Sequence, residues 1–170
     1  LGEGGILENA RENTLIIDHT TTSSKLSVEL SGKCHSKNVG YIDAPVSGGE
    51  VGALEGQLTV MCGGNQNDFE KAYELISCYS KFIKLMGPSG SGQLTKMVNQ
   101  ITITGLIQGL AEAIYFSEKA GLDTQQVIEV ISKGAAQSWQ MENRWKTMVE
   151  GKYNHGFAVD LMRKDLKIAI

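Results

Sequence analysis

The sequence predicts an α/β layer followed by an all-α region, and three observations carry that expectation. Short β-rich runs alternate with helical patterns over the first half, every apolar pattern after Gly92 is helical, and Gly87-Pro88 with Gly90-Ser-Gly92 separates the two. Strands alternating with helices imply a largely parallel sheet. The boundary falls near residues 88–92, giving a first domain over 1–90 and a helical one over 91–170.

Each element has its own reason. Ile6 to Glu12 has helical spacing, Leu15-Ile-Ile-Asp18 reads as a short buried strand, and Ser23 to Cys34 returns to a helix. Tyr41-Ile-Asp-Ala-Pro45 is a strand that breaks at proline, and Gln57-Leu-Thr-Val-Met-Cys62 is a β-rich run between glycines. Asn67 to Ser77 begins with Asn67 as N-cap and Glu70 three residues on, a capping-box spacing. Lys81-Phe-Ile-Lys-Leu85 closes the strand series. A long helix over about 93–119 stops at Gly121. Asp123 with Gln126 starts another, with Val127, Ile128, Val130 and Ile131 as its core face, and helices near Trp139–Glu150 and Val159–Ile170 follow. Gly105, Gly109 and Ala113 repeat at four-residue spacing, a smooth stripe where another helix, from this chain or a partner subunit, can approach. Trp139 is expected in the core rather than lining a cleft.

Composition excludes several function classes. A chain of 170 residues builds one good core or two small ones, and a net charge of −3 argues against a nucleic-acid footprint. Three cysteines, Cys34, Cys62 and Cys78, form no C-x-x-C pair, which fits buried free thiols in a reducing, cytoplasmic compartment. No metal centre is expected. No signal peptide is read, and the apolar stretch Met97 to Phe116 carries Asn99, Gln100, Gln108 and Glu112, so it reads as a buried helix and not a membrane span. The chain opens on Leu1 without methionine and stops at Ile170 inside a helical pattern, so a fragment of a longer protein is expected.

The segment Gly90-Ser-Gly-Gln-Leu-Thr-Lys96-Met-Val-Asn99-Gln100 places one lysine and two amides on one face at the start of the long helix, behind a glycine-rich entry. By spacing alone Lys96 is a solvated charge or part of a small polar site. Asp43-Ala-Pro-Val-Ser47-Gly48-Gly49 turns sharply after a strand and can cradle a carboxylate, or serve only as a turn. Asp18-His-Thr-Thr21-Thr-Ser23 follows a strand end, where open α/β sheets bind ligands, and equally can cap the next helix. Arg163-Lys164-Asp165, as a charge cluster, reads as a solvated face.

Together these segments resemble the β-hydroxyacid dehydrogenase family, the group of 3-hydroxyisobutyrate dehydrogenase and tartronate semialdehyde reductase. The resemblance covers nearly the whole chain. It rests on Asp43-Ala-Pro-Val-Ser-Gly-Gly49 with Gly52-Ala53 and Gly56-Gln-Leu-Thr59, on Gly90-x-Gly92 with Lys96-x-x-Asn99-Gln100, and on Lys164-Asp165-Leu166. It implies an α/β partial Rossmann-like sheet, the second part of an NAD(P)-binding domain over 1–90, followed by an all-α helical domain for substrate and dimerisation. It implies hydride transfer between a small hydroxy acid and NAD or NADP, with Lys96 as general acid or base and its pKa lowered by burial. Ser47, Gly48 and Gly49 would hold the substrate carboxylate, Asn99 or Gln100 would orient Lys96 and the reacting oxygen, and Thr21 and Lys164 would meet the cofactor. A homodimer or homotetramer through the helical domain is the implied partner, with no nucleic acid and no membrane.

The family's glycine fingerprint, G-x-G-x-x-G after a strand, has no counterpart: Gly2-Glu-Gly-Gly5 has the wrong spacing. A second expectation is therefore a truncated, non-catalytic helical dimerisation module. A 6-phosphogluconate dehydrogenase-like enzyme ranks lower, because its phosphate site calls for more basic residues.

Overall fold

The computed structural model describes residues 2–154 and 156–170; Leu1, with which the expected first domain begins, lies outside them. The described chain forms two compact units, Leu1–Val98 with Ala158–Ile170, and Asn99–Phe157.

The first unit carries the sheet. A short helix α1 (Ile6–Asn9) leads to β1 (Leu15–Asp18), and α2 (Ser24–His35) starts where Ser23 accepts a hydrogen bond from the Leu26 N–H, so the Asp18–Ser23 loop does cap the helix it precedes. β2 (Gly40–Asp43) lies parallel to β1, pairing Leu15 with Gly40 and Asp18 with Asp43. The chain passes Pro45 into the two-residue β3 (Val46–Ser47), the six-residue α3 (Gly49–Leu54), β4 (Leu58–Gly63), α4 (Gln66–Ser77) and β5 (Ser80–Gly87). β4 and β5 are parallel. β4 runs antiparallel to both β2 and β3, so the sheet is mixed and not largely parallel. The physical reason is the short connection: α3 is too brief to carry a parallel crossover, so the chain simply turns back.

Period-two alternation sorts the two faces. Ile42, Ala44, Leu58, Val60 and Cys62 pack with Ala72 and Ile76 of α4, while Val39 and Tyr41 pack with Cys34 of α2 and Leu7 of α1. Cys34 and Cys62 are buried free thiols as expected, whereas Cys78 is exposed. The N-cap of α4 is Asn65 and not Asn67. Asn65 holds an extended backbone, its side chain accepts from the Asp68 N–H at 2.8 Å, and its Nδ2 donates to the Asp68 carboxylate, leaving Asn67 inside the first turn. The same carboxylate accepts from His35 and from the Tyr41 N–H, which joins α2, β2 and α4.

α5 (Ser91–Lys119) begins in the first unit and runs most of its length in the second, followed by α6 (Thr124–Ile131) and α7 (Trp139–Val149); α8 (Val159–Ala169) belongs to the first. Asp123 caps α6 through the Gln126 N–H, as its spacing predicts. The second unit's core is Leu110, Ile114, Ile128 and Met141, with Ile131, Trp145 and Met148 against it. Val130 is 73% exposed, so the apolar face of α6 is narrower than expected. Trp139 is 56% exposed with Arg144 stacked 5.0 Å from its ring, so it is not a core residue; Trp145 takes that place. No described helix is long and apolar enough to cross a membrane.

Candidate active site

The site starts from a buried aspartate. Asp43 ends β2 fully buried, and its carboxylate accepts from the Gly90 N–H at 2.7 Å and the Gln93 N–H at 3.1 Å, the donors at the start of α5. The glycines around it are required by space. A Cβ at Gly92 would overlap the Met61 carbonyl, and one at Gly63 would stand 2.6 Å from the Asp43 carboxylate. Burial pushes the Asp43 pKa up, against the lowering effect of these N–H donors. The carboxylate therefore fixes the start of α5 against the end of β2.

One turn into α5, Lys96 is 8% exposed, and its ammonium donates to the Val46 carbonyl at 2.7 Å. Val46 immediately precedes the Ser47-Gly48-Gly49 turn, so the structure brings Lys96 to the end of that segment. Gly48 and Gly49 have φ of 137° and 63°, the left-handed region that glycine tolerates, and both are exposed while Ser47 is half-buried. Burial lowers the Lys96 pKa; Asp165 opposes this, and Lys164 adds to it. Lys96 is thus not the solvated charge its spacing alone allowed.

Lys164, at the surface of α8, donates to the Thr21 carbonyl at 2.8 Å and pairs with Asp165 at 2.9 Å. Thr21 and Lys164 are therefore together. Asp165 is only 2% exposed, so the Arg163-Lys164-Asp165 cluster is not a wholly solvated face. Asn99 and Gln100 fall in the second unit, where the Asn99 amide donates to the Gln100 Oε1 at 2.9 Å; Gln100 is buried and Asn99 half-buried.

Three groups stood inside the sequence motifs without a role of their own. Gln93 is fully buried, accepting from the Thr22 N–H at 3.0 Å and donating to the Thr20 carbonyl at 2.7 Å. Asp43 and Asp165 are the others. Asp43 had a signal in the glycines at 63, 90 and 92, which mark a close approach. Asp165 had one in sharing the buried side of α8 with Met162, Leu166 and Ile168.

With this geometry in place, comparison supplies the class. Residues 1–87 match the family described as the NAD binding domain of 6-phosphogluconate dehydrogenase, and residues 90–170 the family described as NAD-binding of NADP-dependent 3-hydroxyisobutyrate dehydrogenase. An uncharacterized oxidoreductase of Shewanella frigidimarina is 55% identical over 170 residues, covering all of this chain and 58% of its own. The 2-hydroxy-3-oxopropionate reductase of Escherichia coli is 35% identical over 169 residues, covering 99% of this chain and 58% of its own. A solved Mycobacterium tuberculosis 3-hydroxyisobutyrate dehydrogenase with L-serine aligns at a TM-score of 0.86 and 30% identity, over 96% of this chain and 59% of that one. The chain thus spans a little under three-fifths of these relatives. These matches define an NAD(P)-linked oxidoreductase class. Within it, the chain belongs to the β-hydroxyacid dehydrogenase family.

NAD or NADP is the cofactor of that family. The donor chemistry here fits it: the threonine hydroxyls of residues 20–22 and the half-exposed Lys164 ammonium, at the end of β1, suit a polyhydroxylated anion. Among the described residues no group of three or more His, Cys, Asp or Glu side chains is arranged to hold a metal.

Proposed function

We propose that the intact protein interconverts a small β-hydroxy acid and its semialdehyde or keto form, with Lys96 as the general acid and base. The observation that carries this reading is a lysine buried beside the Ser47–Gly49 turn with its pKa lowered. A lowered pKa brings the ammonium closer to the working range of proton transfer.

In carbonyl reduction the Lys96 Nζ gives a proton to the oxygen as it gains charge; in alcohol oxidation neutral Lys96 takes it back, directly or through a water. A nicotinamide held by the chain would supply or accept the hydride. Ser47, Gly48 and Gly49 hold the substrate carboxylate, Asn99 or Gln100 meets the reacting oxygen, and Thr21 and Lys164 meet the cofactor. Residues 1–90 then serve the cofactor and residues 91–170 the substrate and self-association, as homodimer or homotetramer. The L-serine that accompanies the mycobacterial enzyme and the hydroxy-oxo acid for which the Escherichia coli relative is named support a small hydroxy acid as substrate class.

The test is a steady-state assay of the intact protein on 3-hydroxyisobutyrate, 2-hydroxy-3-oxopropionate and serine. Lys96→Ala is expected to lower kcat by about 10²–10⁴-fold, the usual worth of a positioned acid or base. Near-normal turnover of the variant on every active substrate would refute the role.

A second reading has its own observation. A Cβ added at Gly105 or Gly109 would meet nothing within 4 Å, so that stripe is open on α5 and suits a non-catalytic dimerisation module. Tight binding of NADH or NADPH by the 170-residue chain in a calorimetric titration would contradict it.

A further inference from the structure

We propose that Gln93 is a positioning residue that locks the Thr20–Thr22 loop to the lysine-bearing helix. This rests on the reading that the loop meets the nicotinamide cofactor and that Lys96 moves the proton.

The argument starts from hydrogen-bond supply. A loop leaving a strand has no ladder partner for its peptide groups, and buried ones need another source. Side chains provide it here. The Asp18 carboxylate accepts from the Thr20 N–H at 2.9 Å, Lys164 donates to the Thr21 carbonyl, and the Gln93 amide brackets Thr21 on both sides through Thr20 and Thr22. The bracket resembles the pairing that a neighbouring strand would offer. It also dictates the amide's orientation, because the Thr20 carbonyl only accepts and the Thr22 N–H only donates. A carboxylate lacks the donor, and a thioether lacks the donor and offers only a weak acceptor.

Gln93 is itself held from several sides. Its backbone N–H is held by Asp43, its side chain is fully buried, and it sits three residues before Lys96 on α5. One rigid turn of helix therefore holds both the cofactor loop and the proton donor. Nothing in this clamp touches a reacting atom; its work is to keep the two in register. Without it the loop samples other conformations, and the apparent cofactor Kd rises in inverse proportion to the competent fraction.

The test uses the intact protein without substrate. NADH and NADPH are titrated by nucleotide fluorescence into wild type, Gln93→Met and Gln93→Glu, and amide hydrogen exchange is followed in the cofactor-free proteins across residues 20–22. Gln93→Met is expected to weaken the preferred nucleotide about tenfold and to speed exchange in the loop. Gln93→Glu keeps the acceptor for Thr22 but sets a buried carboxylate against the Thr20 carbonyl, so a weakening at least as large is expected, and this variant serves if the first does not fold. Ile76→Val, on the buried side of α4, is the control for lost stability alone and is expected to bind nucleotide as wild type does. Binding by both Gln93 variants within twofold of wild type, or weakened no more than in Ile76→Val, overturns the clamp. If Lys96→Ala is inactive in that case, the dehydrogenase reading stands and only the clamp fails. Wild type that binds neither nucleotide overturns both.

Discussion

Replacing Asp43 by alanine should cost the fold about 3 kcal/mol, and the figure follows from what its carboxylate touches. Two N–H donors at the start of α5, on Gly90 and Gln93, point to it, and both residues are buried. Leaving a buried donor unpaired costs roughly 1–3 kcal/mol, so the two together set a loss of about 2–6 kcal/mol. Burial of the charge works the other way. The carboxylate pKa is raised, so removing it recovers part of a desolvation penalty and draws the net towards the lower half of that range. Asp43→Asn keeps one acceptor and should lose about half as much. The pH dependence has a definite sign: with the folded pKa raised, the native state binds the proton more readily than the unfolded chain. This contribution is present at low pH and is lost as pH rises through the folded value; Asp43→Asn removes that slope. Urea unfolding followed by far-UV circular dichroism is the assay, since Trp139 and Trp145 both lie in the other unit and their fluorescence would miss the change. A loss below about 1 kcal/mol in Asp43→Ala at an unchanged m-value would refute the reasoning.

Two further expectations concern charge. Asp165 raises the Lys96 pKa, so Asp165→Asn should lower it further. On the proposed role of Lys96, carbonyl reduction, which would need its protonated form, then declines at a lower pH, and alcohol oxidation, which would need the neutral form, rises at a lower pH. Profiles of kcat in both directions check this, and an unmoved profile would contradict it. At Asp68, burial raises the pKa, but the His35, Tyr41 and Asn65 hydrogen bonds outweigh it and leave it below the ordinary 3.8. Its stabilisation is present above 3.8 and is lost as pH falls through the folded value. His35→Ala should weaken that acid-sensitive part, read as a smaller fall in Tm between pH 5 and pH 2.

The elements with strong periodicity were legible. β1, α2, β4 and α5 lie within a residue or two of their expected bounds, because apolar spacing and glycine stops are local signals. Strand direction was not legible, since the turn back into β4 depends on the brevity of α3. The shift from Asn67 to Asn65 shows the same limit: both asparagines have an acid three residues on, and only the path out of β4 chooses between them. In the site, Lys96, the Ser47–Gly49 turn, Thr21 and Lys164 stood in motifs. Gln93 lay inside the Gly90–Gln100 segment but drew no role, because its partners Thr20 and Thr22 are some seventy residues away in sequence and bond through backbone atoms that carry no residue identity. Trp139 misled for a related reason: its exchange with Trp145 turns on which side of α7 meets α5, a packing outcome.

The buried carboxylate at Asp43 also sets terms for anyone redesigning this scaffold. It fills the space that a side chain at Gly63 or Gly92 would need, and the two glycines in turn leave it only short N–H partners. Positions 43, 63 and 92 consequently behave as one unit of variation. A library that randomises 63 or 92 singly sets a side chain against the carboxylate or the backbone beside it, and the exposed glycines at 48 and 49 offer no easier route, because their positive φ strains any other residue.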